Sequence, residues 1–297
     1  MTLLSRRRFL TISAASAACP AIAAPVTPAR WRGSALGAPA SMHLVGLSDA
    51  QARPIFAAVE AEVTRLEDIF SLYRPNSQLS RLNRDGSLTH PAPELLNLLS
   101  LCSVLHENSD GAFDPTIQSL WIALATSGDV AAARKTVGWT RVSVGRDIIR
   151  LPYPGQSALT LNGIAQGAIT DRIADLLKSQ GLTDVLVDMG EIAALGRRYD
   201  KQDWQVGLVG PKRRLIKRIA LRDRAVATSD NADLMLTDRY GHILSPKGQS
   251  PEHRVLSVSA KTAALADGLS TALCALPKGD MTTVLNRFPD ARLEMSL

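Results

Sequence analysis

Residues 263–273 read Ala263-Ala264-Leu265-Ala266-Asp267-Gly268-Leu269-Ser270-Thr271-Ala272-Leu273, inside a predicted helix from Lys261 to Leu276 that Pro277 stops. The stretch is apolar on nearly every side, so the helix must be enclosed by other elements. Asp267 and Thr271 are four residues apart and share one face. A buried carboxylate is costly unless it is paired or metal-bound. A carboxylate, a hydroxyl and nearby backbone carbonyls form an oxygen-only set, which suits Mg²⁺. An Asp paired with an arginine, or capping a neighbouring turn, would explain the same residues equally well.

Outward from this helix, strands and helices alternate irregularly. Trp31 to Leu47 reads as one or two strands carrying Met42. Ser48-x-x-Gln51 is a capping box, and Ile55, Val59, Val63, Leu66 and Ile69 then form a helical stripe ending near Phe70. Pro93 opens a helix with Leu95, Leu96, Leu99 and Leu105. Residues 141–161 read as strands with a turn at 152–155. Gly167 to Gln180 is predicted helical, with Gly181 as its stop. Asp184 to Asp188 is a short strand, and Trp204–Val209 and Ile216–Ala227 read as paired strands. No regular βαβ period appears. The pattern predicts an α+β fold with mixed or antiparallel sheets and packed helices. No repeat or long linker interrupts residues 25–297, which read as one catalytic unit.

The chain has 297 residues, a net charge of +6, 45% hydrophobic residues and only 4% aromatics. These are globular values. Arg6, Arg7 and Arg8 supply half of the excess charge, and residues 1–24 hold no acid. The remaining charge is too small for a nucleic-acid-binding stripe, and aromatics are too few for base stacking. No apolar run is long enough to span a membrane. Ser5-Arg6-Arg7-Arg8-Phe9-Leu10, a mild apolar stretch and Ala21-Ile22-Ala23 follow the order of a twin-arginine signal peptide over 1–24. The expected location is therefore the periplasm. Cys19 is disfavoured as a lipid anchor because Ser16 stands where a large aliphatic residue is usual. Cys102 and Cys274 fall in apolar helices and are expected to be buried free thiols.

Four other stretches carry candidate chemistry. Leu161-Asn162-Gly163-Ile164-Ala165-Gln166-Gly167 leads into a helix and could bring backbone N–H groups to a phosphate; a tight strand-to-helix turn explains it as well. In Gly111-Ala112-Phe113-Asp114-Pro115-Thr116, Asp114 is expected to cap a helix that begins at Pro115. His242, in Gly241-His242-Ile243, could act as an acid or base, although a lone histidine is more often structural. Lys212, Arg213, Arg214, Lys217, Arg218, Arg222 and Arg224 read as a solvated hairpin, with a docking surface for an acidic protein as the other reading.

The order of these motifs, together with Phe70-Ser71-Leu72-Tyr73-Arg74-Pro75-Asn76-Ser77, Val187-Asp188-Met189-Gly190-Glu191 and Ala227-Thr228-Ser229, resembles the ApbE family, the FAD:protein FMN transferases. The resemblance runs from about Met42 to Leu276. It implies an ApbE-like, T-fold-like architecture. It also implies Mg²⁺-dependent cleavage of FAD, transfer of FMN to a Thr or Ser of a target protein, and release of AMP. On this sequence the metal ligands would be the Gly163 carbonyl, Asp267 and Thr271, with Ser270 adjacent. Flavin contacts would fall on Met42, Tyr73, Ala112, Phe113, Asp114, Thr160, Gln166 and Ile243. His242 matches a family histidine with a role in the transfer step. Thr160 stands where many members have Asp, Gln166 where many have Lys, and Gly190-Glu191 where many have Gly-Gly. The Leu-Asn-Gly-Ile-Ala-Gln-Gly loop with twin-arginine export looks like the NosX branch, which implies a NosR-like membrane flavoprotein as acceptor. An FAD pyrophosphatase with water as acceptor uses the same residues. A non-catalytic flavin-binding assembly protein does too, and Gln166 is the feature that favours it.

Overall fold

The computed structural model describes residues 28–248 and 255–297. The expected signal peptide at 1–24, its cleavage site and Cys19 lie outside those residues.

The chain opens with a hairpin of β1 (Ala29–Ala35) and β2 (Ala38–Leu44). Leu36 and Gly37 join the strands with φ of 49° and 82°. A two-residue turn with both φ values positive matches the twist of the strands it joins. Helix α1 (Asp49–Phe70) follows, and its N-terminus is the predicted capping box, with Ser48 and Gln51 bonding each other's backbone. Val59, Val63, Leu66 and Ile69 are buried as the stripe requires. Next come α2 (Gln78–Asp85), β3 (Ser87–Thr89), α3 (Pro93–Asn108), a 3₁₀ turn at Pro115–Ile117, α4 (Gln118–Ala125) and α5 (Val130–Thr136). Then follow β4 (Ser143–Val144), β5 (Ile148–Arg150), α6 (Ala165–Ser179), β6 (Val185–Asp188), β7 (Ile192–Leu195), β8 (Trp204–Gly210), β9 (Arg214–Leu221) and β10 (Arg224–Asp230). The described chain closes with β11 (Val255–Ala260), α7 (Ala263–Cys274), α8 (Lys278–Asn286) and β12 (Arg292–Ser296).

A seven-stranded sheet runs in the order β1-β2-β6-β7-β10-β11-β12. Every neighbouring pair in it is antiparallel. The fold is therefore α+β, as the irregular alternation predicted. Helices α1, α3, α6 and α7 cover one face of this sheet around a single large core. The β8–β9 hairpin covers the other face, where Trp204, Val206, Leu208, Ile219 and Leu221 pack on Ala194, Val226, Val255 and Met295. β11 lies between the two layers, and all six of its residues are buried. Cys102 and Cys274 are buried free thiols, as their apolar surroundings suggested.

Three local readings need correction. Ile216–Ala227 is two strands, β9 and β10, because the chain turns at Arg222-Asp223, where Asp223 has φ 51°. Arg224 thus leaves the basic hairpin, and its guanidinium bonds the Ser259 and Asp290 carbonyls. Residues 141–161 form only the two short strands β4 and β5. Asn83 satisfies both backbone groups of Leu159, donating to its carbonyl at 2.8 Å and accepting from its N–H at 2.7 Å. The apolar pattern there serves burial rather than sheet pairing. The helix predicted from Asp114 is a 3₁₀ turn first; Asp114 does cap it, accepting from Thr116 N–H at 2.8 Å.

Helices α6 and α7 cap each other. Asp171 of α6 accepts the Ala263 and Ala264 N–H groups at 2.7 and 2.9 Å. Asp267 of α7 accepts the Gly167 N–H at 3.1 Å. The helices touch so closely that a Cβ on Gly167 would lie 2.4 Å from the Ala263 carbonyl oxygen. Negative charge at both N-termini is favourable, and each carboxylate satisfies amides that the helices cannot. Asp171→Ala is expected to lower unfolding free energy by about 2 kcal/mol, because two buried N–H groups lose their partner. Urea unfolding checks this, and a change within experimental error would remove the cap from any structural role.

Candidate functional site

The turn before α6, one face of α7 and the end of β10 converge on a cavity of about 330 Å³. Its lining includes Ala112, Phe113, Asp114, Thr160, Gly163, Gln166, His242, Ile243, Asp267 and Thr271. Most of the predicted site is thus brought together from four distant stretches. Ser270, Met42 and Tyr73 stand apart from it. Met42 is fully buried in β2 within the core. Tyr73 is 77% exposed and lines an adjoining groove of about 700 Å³. That groove shares Gln118, Trp121 and Asn162 with the cavity.

Each polar group has a specific support. Gly163 sits against α7, where a Cβ would meet Thr271 Oγ1 at 2.8 Å, so only glycine brings this backbone so close. Asp114 is held by the Thr116 hydroxyl and by the Trp139 N–H at 3.1 Å. The Thr160 hydroxyl accepts the Asn162 N–H at 3.1 Å and so shapes the turn. Ser270 is fully buried behind α7 and donates to the Asp267 backbone carbonyl at 3.0 Å. Its hydroxyl proton is used there, so Ser229 donates to Ser270 across 2.7 Å. Thr271 in turn donates to Ser229 across 3.4 Å. With one proton per hydroxyl, this chain leaves the Thr271 oxygen as an acceptor. Ser270 thus backs Thr271 from behind and does not line the cavity.

Asp267 is 4% exposed, accepts one hydrogen bond and forms no ion pair among the described residues. Burial pushes its carboxyl up to about 7, against the pull of the Gly167 N–H. Glu191 was not a candidate in the sequence, yet it lines the same cavity and is buried. Burial first, and the Asp267 charge second, hold its carboxyl well above the usual range. The available signal was its position directly after the Asp188-Met189-Gly190 strand end. Asp230, Asp233, Thr228 and Trp121 also line the cavity and were not foreseen as site residues. No lysine or arginine is among the described lining residues.

Among the described residues no group of three His, Cys, Asp or Glu side chains could hold a metal unaided. The donors here are of mixed type: the Asp267 carboxylate, the Thr271 hydroxyl and the Gly163 backbone. An all-oxygen set with an uncompensated buried acid fits a hard cation such as Mg²⁺. The His242 imidazole contacts the Leu234 carbonyl through Nδ1 at 3.3 Å. Burial holds it below its ordinary value, with the Leu234 carbonyl, Asp233 and Asp230 opposing. It is therefore neutral at neutral pH, with Nδ1 protonated and Nε2 able to accept a proton.

The ApbE family model matches residues 36–294. A FAD:protein FMN transferase of Vibrio cholerae is 29% identical over 260 residues, covering 78% of either chain. One from Klebsiella pneumoniae is 25% identical over 290 residues, covering 87% of this chain and 82% of that protein. Among solved structures, the apo form of Pseudomonas stutzeri flavinyl transferase ApbE superposes with a TM-score of 0.76 at 27% identity, covering 88% of each chain. The ApbE protein of Thermotoga maritima superposes with a TM-score of 0.77 at 26% identity, covering 90% of this chain and 93% of that one.

A raised folded-state pKa makes ionisation of Asp267 destabilising. Its contribution is complete below its ordinary value of 3.8 and is lost as pH rises to about 7. Buried His242 has the opposite sign over part of that range, so the informative quantity is a difference. In metal-free protein, the stability of wild type minus that of Asp267→Asn is expected to fall between about pH 4 and 7. Urea titrations in chelator check this, and a difference that rises with pH would contradict the site's electrostatics.

Proposed function

Because the chain belongs to the ApbE family, we propose that it is an FAD:protein FMN transferase acting in the periplasm with Mg²⁺. The observation that carries this reading is the Asp267–Thr271–Gly163 set at the base of a cavity with an apolar wall. The names of its relatives support the same activity.

FAD would be the substrate. Phe113, Trp121, Ile243 and Leu244 offer a slot for a flat aromatic ring. The adjoining groove past Asn162 gives room for the rest of a dinucleotide. The α6 N-terminus directs its positive end at the turn where Thr160, Asn162 and Gln166 line the cavity. The Gly163 carbonyl, Asp267 and Thr271 would hold Mg²⁺, which would supply neutralisation of the diphosphate charge. Neutral His242 Nε2 accepts the proton of the target's Thr or Ser hydroxyl as its oxygen bonds the FMN phosphorus. The bond from that phosphorus to the bridging oxygen breaks, and AMP leaves.

The acceptor we propose is a NosR-like membrane flavoprotein, which the 161–167 loop and the twin-arginine pattern favour. No helix among the described residues is long and apolar enough to cross a membrane, so the chain would meet its target from the aqueous side.

Purified protein, FAD, Mg²⁺ and an acceptor domain are expected to yield a covalently fluorescent acceptor and one AMP per label. Asp267→Ala is expected to abolish labelling, and His242→Ala to slow it by about a hundredfold. Undiminished labelling by Asp267→Ala would sink the assigned cation site, and AMP release without label would favour hydrolysis. Separately, the Arg6→Lys, Arg7→Lys double variant is expected to remain in the cytoplasm on cell fractionation; normal periplasmic recovery would refute twin-arginine export.

A further inference from the structure

Glu191 has no place in the mechanism above, yet the fold holds it firmly. Its backbone carbonyl accepts from the Thr170 hydroxyl and the Met189 N–H, both at 3.1 Å. Its carboxylate Oε2 accepts the Thr228 N–H at 3.2 Å. The side chain is 8% exposed and lines the cavity that contains Asp267 and Thr271. Its Oε1 has no hydrogen-bond or ion-pair partner among the described residues. The carboxylate of Asp267 likewise accepts only from Gly167.

Two buried carboxylates in one cavity repel unless one takes up a proton or a cation lies between them. Among the described residues no lysine or arginine lines the space, and the one histidine that does, His242, is held neutral by burial. Gln166, packed over Gly190 beside Glu191, is neutral. A diphosphate entering this cavity would add further negative charge. A bound divalent cation would let both acids stay ionised and turn them from a penalty into a favourable arrangement.

We infer that Glu191 is a second carboxylate ligand of the cation held by Asp267, and that this chain takes up its cation before the nucleotide arrives. The inference rests on the reading of a cation-assisted site given above. A Mg²⁺ site with one carboxylate leans on substrate phosphates. Here Glu191, Asp267, Thr271 and the Gly163 carbonyl supply protein oxygens enough to hold the ion alone. The loaded site then carries little net charge, and the diphosphate is not repelled on entry.

The test is Mn²⁺ binding to the metal-stripped full chain, by electron paramagnetic resonance and calorimetry, without and with FAD. Wild type is expected to bind one Mn²⁺ without FAD, and Glu191→Gln to weaken that binding by about tenfold or more. Circular dichroism and the melting temperature confirm that the variant is folded. Glu191→Asp, which keeps the charge but shortens the reach, gives a second reading should Glu191→Gln misfold; it is expected to weaken binding severalfold. Equal Mn²⁺ affinity in wild type and the folded variant overturns the inference. Binding by wild type only when FAD is present also overturns it, while leaving the cation-assisted site intact. No binding with or without FAD overturns both.

Discussion

The reciprocal capping of α6 and α7 is the constraint on which the site depends. Each helix ends in amides that need an acceptor, and each supplies a buried aspartate to the other. That exchange fixes the two axes at the distance where Gly167 touches Ala263. It also explains why an acid can stand in an apolar helix. Asp267 is anchored by one backbone N–H and faces the cavity with the rest of its carboxylate. Paired with an arginine it would have been neutralised and of no use to a cation. The cap supplies enough stabilisation to keep the group in place and leaves its charge uncompensated.

The electrostatic character of the cavity follows from the same economy. Among the described residues acids line it and lysine and arginine do not, so a negatively charged ligand there would have to be met by helix dipoles or by a bound cation. The row of hydroxyls from Thr271 through Ser229 to Ser270 contributes without any charge. It consumes each hydroxyl proton on the protein side and leaves an oxygen lone pair on the cavity side.

Much of this was legible in the residues, and the limits have physical causes. The all-round apolar pattern of 263–273 announced a buried helix, and Asp267 with Thr271 on one face announced its polar seam. The capping box at Ser48 and the stop at Gly181 were local signals with local causes, and both hold. The irregular alternation was enough to choose α+β. Which strands neighbour each other was not legible, because sheet order depends on contacts far apart in sequence. Residues 157–161 read as a strand because their burial alternates, although an asparagine side chain rather than a partner strand holds their backbone. The two readings left open for Asp267, capping and cation binding, turned out to be compatible, since one oxygen caps and the carboxylate still lines the cavity. Glu191 is not read from the sequence as a site residue because a glutamate after a strand-ending glycine is ordinarily solvated; Thr170 of α6 and Thr228 of β10 close on it only in the fold.

Gly167 and Asp267, which meet at the centre of the site, are separated by 100 residues. Between them the chain makes β6, β7, β10 and β11, the middle of the large sheet, and the β8–β9 hairpin that covers its other face. During synthesis, α6 therefore emerges with an uncapped N-terminus and waits for α7 to be made. A nascent chain that stops short of α7 has a turn and a cavity wall but neither Asp267 nor Thr271 to face it. Closing so long a loop is slow. The site is thus among the last parts of the molecule to exist, and its presence reports that every strand of the sheet but β12 has already been made.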